Sequence, residues 1–241
     1  MGYREHDPPP RLRSLVECQW IRTGAAEPGR ILPDGCMDLI SLDGKIVVAG
    51  PDTTAFVAAA SRDPLQGLRF RPGVLPRLLG VPASELRNTR VDLRELCVID
   101  EGGSLDELAV TLAARAPRTE TAPWALPALH DVTRRLAAGE SVSATARHVG
   151  WSTRTMQRQC TAVYGYGPAT LRRILRFRRA VALIGTGASA SVVAAQAGYA
   201  DQPHLHREVR ALAGVGIPQL RQVSSAANRS TDVPSGSSTV A

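Results

Sequence analysis

Lysine is almost missing from this 241-residue chain: Lys45 stands alone among 29 basic residues, and the rest are arginine. The four cysteines, Cys18, Cys36, Cys97 and Cys160, include no Cys-x-x-Cys pair. That spacing argues against a zinc site and reads as reduced, partly buried thiols. His6 is the one histidine before residue 128, so the first half lacks the clustered His and Glu of a metal centre. No nucleophile–base pair stands out either, so no catalytic residue, metal or cofactor is expected, and the chain does not read as an enzyme. No run of eighteen apolar residues exists, which excludes a membrane-spanning helix. The start, "MGYREHDPPPRLRS", has no apolar h-region, and the residues after Gly2 do not fit a myristoylation signal, so a cytoplasmic protein is expected.

Acidic residues are scarce in only one half. Residues 1–127 hold 15 Arg/Lys against 17 Asp/Glu, a balance of −2, while residues 128–241 hold 14 Arg against 5 Asp/Glu, a balance of +9. A basic half joined to a mildly acidic one points to a polyanionic partner, nucleic acid or lipid, for the C-terminal part. Arginine offers a planar fork suited to phosphate and guanine, although genome base composition explains the same bias equally well.

Residues 14–100 read mainly as strands and turns. "SLVECQWIR" alternates Val16, Cys18 and Trp20 against Glu17 and Gln19, and "GLRFRPG" sets Leu68 and Phe70 against Arg69 and Arg71. In "DLISLDGKIVVAG", Asp43-Gly44 lies between two apolar runs and predicts a hairpin with a type I′ turn. Helix is predicted at "PASELRN" and more firmly at "SLDELAVTLAARA", where Ser104 and Glu107 have capping-box spacing. "APRTETAPWALPA" lacks periodicity and reads as a linker. The expected division is an N-terminal domain over 1–115, a linker over 116–127, a helical domain over 128–223 and a disordered tail over 224–241.

Two stretches repeat. In 141–168, Ala146, Gly150 and Trp151 match Ala194, Gly198 and Tyr199, each 48 residues on; Met156 and Arg158 match Leu205 and Arg207 at 49. Each copy reads as a short helix with a small residue where a second helix crosses, a glycine at the turn, an aromatic in the corner, and a capping Ser152 or Asp201 that starts the next helix. This is a helix-turn-helix written twice. The outward faces carry Thr153, Arg154, Gln157 and Arg158 in one copy and Gln202, Pro203, His206 and Arg207 in the other. Arginine and glutamine can each grip a purine edge through two hydrogen bonds. His204 and His206 are two residues apart on a helix and cannot share a metal ion. "PATLRRILRFRRAVALIGTG" between the copies predicts a helix of about 17 residues, roughly 25 Å long. Its Arg172 and Arg173 are expected to meet phosphates.

With these features the C-terminal part resembles the AraC/XylS family of transcription regulators over about residues 128–222. The "GYADQPHLHREVRALAGVGIPQLR" region is similar to the family's aromatic signature, with Leu205 and Val209 in place of the later aromatics. The resemblance implies a seven-helix unit bound to two successive major-groove segments of a promoter. It places Arg154, Gln157 and Arg158 at the first module's reading positions, and Gln202, His206 and Arg207 at the second's. The family's DNA-repair relatives need four close cysteines, which Cys18, Cys36 and Cys97 do not supply.

The N-terminal half, "YREHDPPPRLRSLVECQWIR" onward, looks like a domain often found ahead of such units, similar in outline to small β-barrel sensors that bind an effector or dimerise. The expected fold is therefore α+β: a mainly-β, barrel-like domain with a few helices, then an all-α domain of two helix-turn-helix units joined by a long helix. In "LPDGCMDLI", Asp34, Cys36 and Asp38 alternate as on one strand face, and with Arg69 and Arg71 they are candidate ligand contacts, against a plain Pro-Asp-Gly turn as the alternative. The expected partners are promoter DNA, a small effector, RNA polymerase and a second copy of the chain. Two rival readings are a thiol-responsive regulator using Cys18 and Cys36, and an enzyme domain fused to a DNA-targeting one.

Overall fold

The computed structural model describes residues 2–23, 29–60, 64–99 and 102–221. The expected tail at 224–241 lies outside them. Among the described residues eight strands come first: β1 (Gly2–His6), β2 (Val16–Thr23), β3 (Gly29–Ile31), β4 (Met37–Leu42), β5 (Lys45–Ala49), β6 (Phe56–Ala58), β7 (Leu65–Phe70) and β8 (Arg90–Asp92). Six of them form one antiparallel sheet in the order β1-β2-β7-β4-β5-β8, and β3 pairs with β6 as a separate ribbon. The mainly-β domain is thus present, but its sheet is open: β1 and β8 lie at opposite edges and do not pair. Asp43 (φ 51°) and Gly44 (φ 74°) join β4 to β5 with both central residues left-handed, as a type I′ turn requires.

The sheet has two different faces. Leu39, Val48 and Leu68, on neighbouring strands, are almost fully buried on one side. They pack with α1 (Val74–Leu79) and α3 (Leu105–Ala113). The opposite face carries Trp20, Asp38 and Arg69, with Asp38 directly across from Arg69. A bulge between Val16 and Cys18 moves β2 from the first face to the second, so the apparent alternation Val16, Cys18, Trp20 spans a switch of sides.

The capping box at Ser104 and Glu107 starts α3 as predicted. "PASELRN" is not a helix: residues 83–88 form turns, with Asn88 at φ 59°. Its backbone is committed elsewhere, since the Ala83 amide donates to the Ala162 carbonyl at 2.7 Å. Two further helices were not anticipated, α1 and the short α2 (Leu93–Leu96).

The C-terminal half holds α4 (Leu126–Ala137), α5 (Val142–His148), α6 (Thr153–Tyr164), α7 (Pro168–Gly185), α8 (Ala190–Ala197) and α9 (Gln202–Ala213), with further helix at 217–221. Among the described residues no helix is long and apolar enough to cross a membrane. Residues 114–120 are exposed, but the segment ends on Trp124, which is buried. Trp124 stacks on Trp151 with ring centroids 4.8 Å apart, and its carbonyl accepts from Arg77 Nη1 at 2.7 Å.

The hydrophobic core does not divide at that segment. One cluster runs from Leu12 through the sheet, α1 and α3 into α4, α6 and the first half of α7, ending at Leu175. A second begins at Phe177 and encloses α8 and α9. The packing boundary therefore falls inside α7, whose two halves are buried in different cores. Burial of a single leucine contributes about 1.5–3 kcal/mol, so each half of α7 is firmly anchored.

Candidate nucleic-acid interface and ligand cavity

The two corners are built alike. Ser141 and Ser189 cap α5 and α8, and Ser152 and Asp201 cap α6 and α9, each side chain accepting from an amide three residues on. Such caps contribute roughly 1 kcal/mol each. The Trp151 amide donates to Ala146 at 2.9 Å and the Tyr199 amide to Ala194 at 2.8 Å. Gly150 (φ 71°) and Gly198 (φ 79°) make both turns left-handed. Met156, Cys160, Leu205 and Val209 are fully buried beneath α6 and α9. Leucine and valine therefore fill the second corner where the family resemblance implied aromatics.

Thr153, Arg154, Gln157 and Arg158 are exposed, and so are Gln202, Pro203, His206 and Arg207. Among the described residues, no side-chain hydrogen bond or ion pair engages Arg154, Arg158, His206 or Arg207. Gln157 lies against Gly167, where an added Cβ would come within 2.1 Å of its amide nitrogen. His204 packs edge-on against the Tyr199 ring at 5.2 Å and belongs to the corner.

Arg172 and Arg173 both make contacts within the protein. Arg173 Nε donates to Glu208 Oε2 at 2.7 Å, and Arg176 Nη2 approaches the same oxygen at 3.7 Å while its guanidinium lies 4.5 Å over the Tyr199 ring. Arg172 Nη1 donates to the Glu140 carbonyl at 3.4 Å. Burial acts to raise the Glu208 carboxyl, but hydrogen bonding and the charges of Arg173 and Arg176 outweigh it and hold the carboxyl below its ordinary value. Helical spacing puts these arginines on an outward side, and no local pattern marks Glu208, 35 residues from Arg173, as a partner.

A cavity of about 900 Å³ lies between the second sheet face, the β3–β6 ribbon and α7. Asp34, Cys36, Asp38 and Arg69 all line it, together with Tyr3, Trp20, Asp52, Arg90 and, from α7, Phe177, Arg178 and Val181. Arg71 does not belong. β7 ends at Phe70, so strand alternation stops before it; the Arg71 amide donates to Leu15 at 2.9 Å and its Nε to the Arg13 carbonyl at 2.9 Å. Asp34 and Cys36 precede β4. They enter the cavity through a turn in which Gly35 is left-handed (φ 86°) and Asp34 Oδ1 accepts the Cys36 amide at 2.8 Å.

Arg69 is the hub of the cavity's polar end. Its Nη1 lies 3.1 Å from Glu5 Oε1, and its Nε lies 3.3 Å from Asp34 Oδ2 and 3.7 Å from Asp38 Oδ1. Trp20 Nε1 donates to Asp38 Oδ2 at 3.0 Å. Burial pushes the Asp38 carboxyl up to about 6 against the lowering effect of Arg69, and Asp34 is raised for the same reason. Burial also pushes the Cys18 thiol up to about 12 and raises Cys36. Reactive thiols need lowered values, so the thiol-switch alternative finds no support in this chemistry.

Several cavity groups had no local signal in the sequence. Arg178 of α7 pairs with Glu17, 161 residues earlier, and its Nη1 donates to Glu17 Oε2 at 3.1 Å. Arg90 grips Asp52 through both nitrogens, at 3.0 and 2.6 Å. The ribbon also reaches the second module: Arg30 Nη1 donates to the Ala213 carbonyl at 3.3 Å, and the Ala55 amide, just before β6, donates to Leu212 at 2.7 Å. The cavity rim thus caps the C-terminal end of α9.

Comparison with known proteins gives two family matches: "Domain of unknown function (DUF6597)" over residues 4–92 and "Helix-turn-helix domain" over residues 145–222. No curated protein matches the chain. Solved structures similar to it include ToxT from Vibrio cholerae, at 10% identity, covering 88% of this chain and 99% of that one, with a TM-score of 0.44. Also similar is a single-residue variant of apo ToxT, at 8% identity, covering 85% and 97%, with a TM-score of 0.46. A third is ToxT bound to a methylnaphthalenyl butenoic acid, at 9% identity, covering 83% and 98%, with a TM-score of 0.43.

Proposed function

We propose that the chain, with a helix-turn-helix match behind an N-terminal domain of unknown function, is an AraC-type DNA-binding transcription regulator in which α6 and α9 read two successive major-groove segments under the control of an effector held in the cavity. Thr153, Arg154, Gln157 and Arg158 are the reading residues of the first module, and Gln202, His206 and Arg207 those of the second. Arginine takes guanine O6 and N7, and glutamine takes adenine N6 and N7. Arg172 and Arg173 act instead within the protein, Arg173 by fixing α9 to α7.

The observation that carries this reading is the repeated corner with an exposed polar helix face in each copy, whose Arg154, Arg158, His206 and Arg207 have no side-chain partner among the described residues. Control by an effector is supported by α7, which joins the two modules while Phe177, Arg178 and Val181 line the cavity. A ligand that favours one position of α7 over another shifts the arrangement of α6 and α9 by its differential affinity for the two states. Selection of bound duplexes from a random pool, read by sequencing, tests the DNA reading. Two half-sites about ten base pairs apart are expected; a single short site, or no enrichment, refutes a double reader.

A further inference from the structure

Given the double-reader proposal, on which this step rests, we infer that Arg30 of β3 is a positioning residue for the second module: it clasps the C-terminal end of α9 and so sets that helix's hold on the second half-site. The two modules are tied to the N-terminal domain in different ways. Beneath α6, Met156, Cys160 and Val163 share one core with the sheet and α1. The Ala83 amide donates to the Ala162 carbonyl at 2.7 Å, and Arg87 Nη1 donates to the Gly165 carbonyl at 3.3 Å. The first reader is thus built into the body of the protein. The second core, among the described residues, takes a single N-terminal side chain, Leu32, directly after β3.

Polar contacts from the β3–β6 ribbon complete that slighter attachment. The last four carbonyls of a helix have no partner within it. Two of those in α9 are taken by the ribbon: Leu212 accepts from the Ala55 amide at 2.7 Å, and Ala213 accepts from Arg30 Nη1 at 3.3 Å. Only the second bond comes from a charged side chain, and it meets the negative end of the α9 dipole. Gly214 leaves the helix at φ 69°, and a Cβ added there would come within 3.1 Å of Arg30 Nη1, so the guanidinium lies close over the turn. Farther along α9, Glu208 is held by Arg173 of α7. A helix fixed at two points keeps its direction. Released at one, it swings about the other, and DNA must then order it at a cost to that half-site alone.

Competition gel shifts on the full chain test this with two duplexes, one carrying both selected half-sites and one with the second scrambled. Arg30→Ala should weaken the two-site duplex about three- to tenfold, as expected for one lost hydrogen bond to a charged group, and leave the scrambled duplex unchanged. Arg30→Lys keeps a charged donor and should bind within about twofold of the native chain. Without DNA, hydrogen exchange over residues 210–214 should quicken about tenfold in Arg30→Ala and stay unchanged over α6. Thermal melts establish that both variants are folded. Native affinity of Arg30→Ala for the two-site duplex, tighter binding, equal loss on both duplexes, or a lysine no better than alanine overturns the proposal. Selection that yields no paired half-sites removes the double reader, and faster exchange at the end of α9 then still upholds the clasp; paired half-sites with native affinity and exchange in Arg30→Ala do the reverse.

Discussion

Replacing Asp38 by asparagine should stabilise the ligand-free protein, and only above a certain pH. Asp38 sits opposite Arg69 of β7, beside Trp20 of β2 and Asp34, and within the field of Arg90 of β8. Its carboxyl is raised from 3.8 to about 6 in the fold, first by burial, with Arg69 opposing. Below pH 4 both folded and unfolded chains hold the proton, so the group adds no pH-dependent term. Between pH 4 and 6 the unfolded chain gives it up first, so stability falls as pH rises, and the full cost is present above the folded value. Two units at about 1.4 kcal/mol each make that cost about 3 kcal/mol. Asparagine mimics the protonated form at every pH. The melting temperature of Asp38→Asn should therefore match the native protein near pH 4 and exceed it by roughly 5–10 °C above pH 7, using about 2–4 °C per kcal/mol for a chain of this size. Paired thermal melts from pH 4 to 8 measure the gap. A gap that stays flat across that range, or a variant less stable at pH 8, refutes the reasoning and with it the picture of an undercompensated carboxylate.

Other substitutions probe the remaining parts. Arg158→Ala should cost about 1–3 kcal/mol of binding to the selected duplex and relax preference at one base pair; equal loss on random duplex in a competition assay contradicts a base-reading role. Arg173→Ala should leave the salt dependence of DNA binding nearly unchanged, because its partner is Glu208; a fall of about 0.9 in the log–log slope would mark a phosphate contact instead. Glu208→Gln loosens α9 from two arginines of α7, so footprinting should show the second half-site weakened and the first retained. Gly67→Ala would place a methyl 2.5 Å from the Trp20 indole. It should destabilise the fold by about 1–3 kcal/mol in thermal melts; a neutral result means Trp20 is not pressed against that backbone.

Features set by neighbouring residues were legible in the sequence. The Asp43-Gly44 turn, the Ser104–Glu107 box and the repeated corners all follow from side chains acting within a few positions of themselves. "PASELRN" failed because a seven-residue segment has little helical stability of its own, and a hydrogen bond from Ala83 to Ala162 redirects it. Arg71 failed because a period-2 pattern carries no mark of where the strand stops. The cavity was half legible: Asp34, Cys36, Asp38 and Arg69 stand out in the sequence and line it, while Asp52, Arg90, Trp20 and Arg178 needed strand order and the docking of α7, neither of which leaves a local trace. The outer arginines of α7 looked equivalent in the sequence; tertiary pairing sorted them into internal clamps and solvent-facing charges.

Because α7 is anchored in one core up to Leu175 and in another from Phe177, it behaves as an axle gripped at both ends. An axle fixes separation and phase together. An operator lengthened by one base pair turns its second half-site by about 35° and moves it about 3.4 Å, and a rigid shaft can follow neither change without breaking the grip at one end. Promoters served by this protein should then hold their two elements at constant spacing, tolerating a wrong letter more readily than an inserted one.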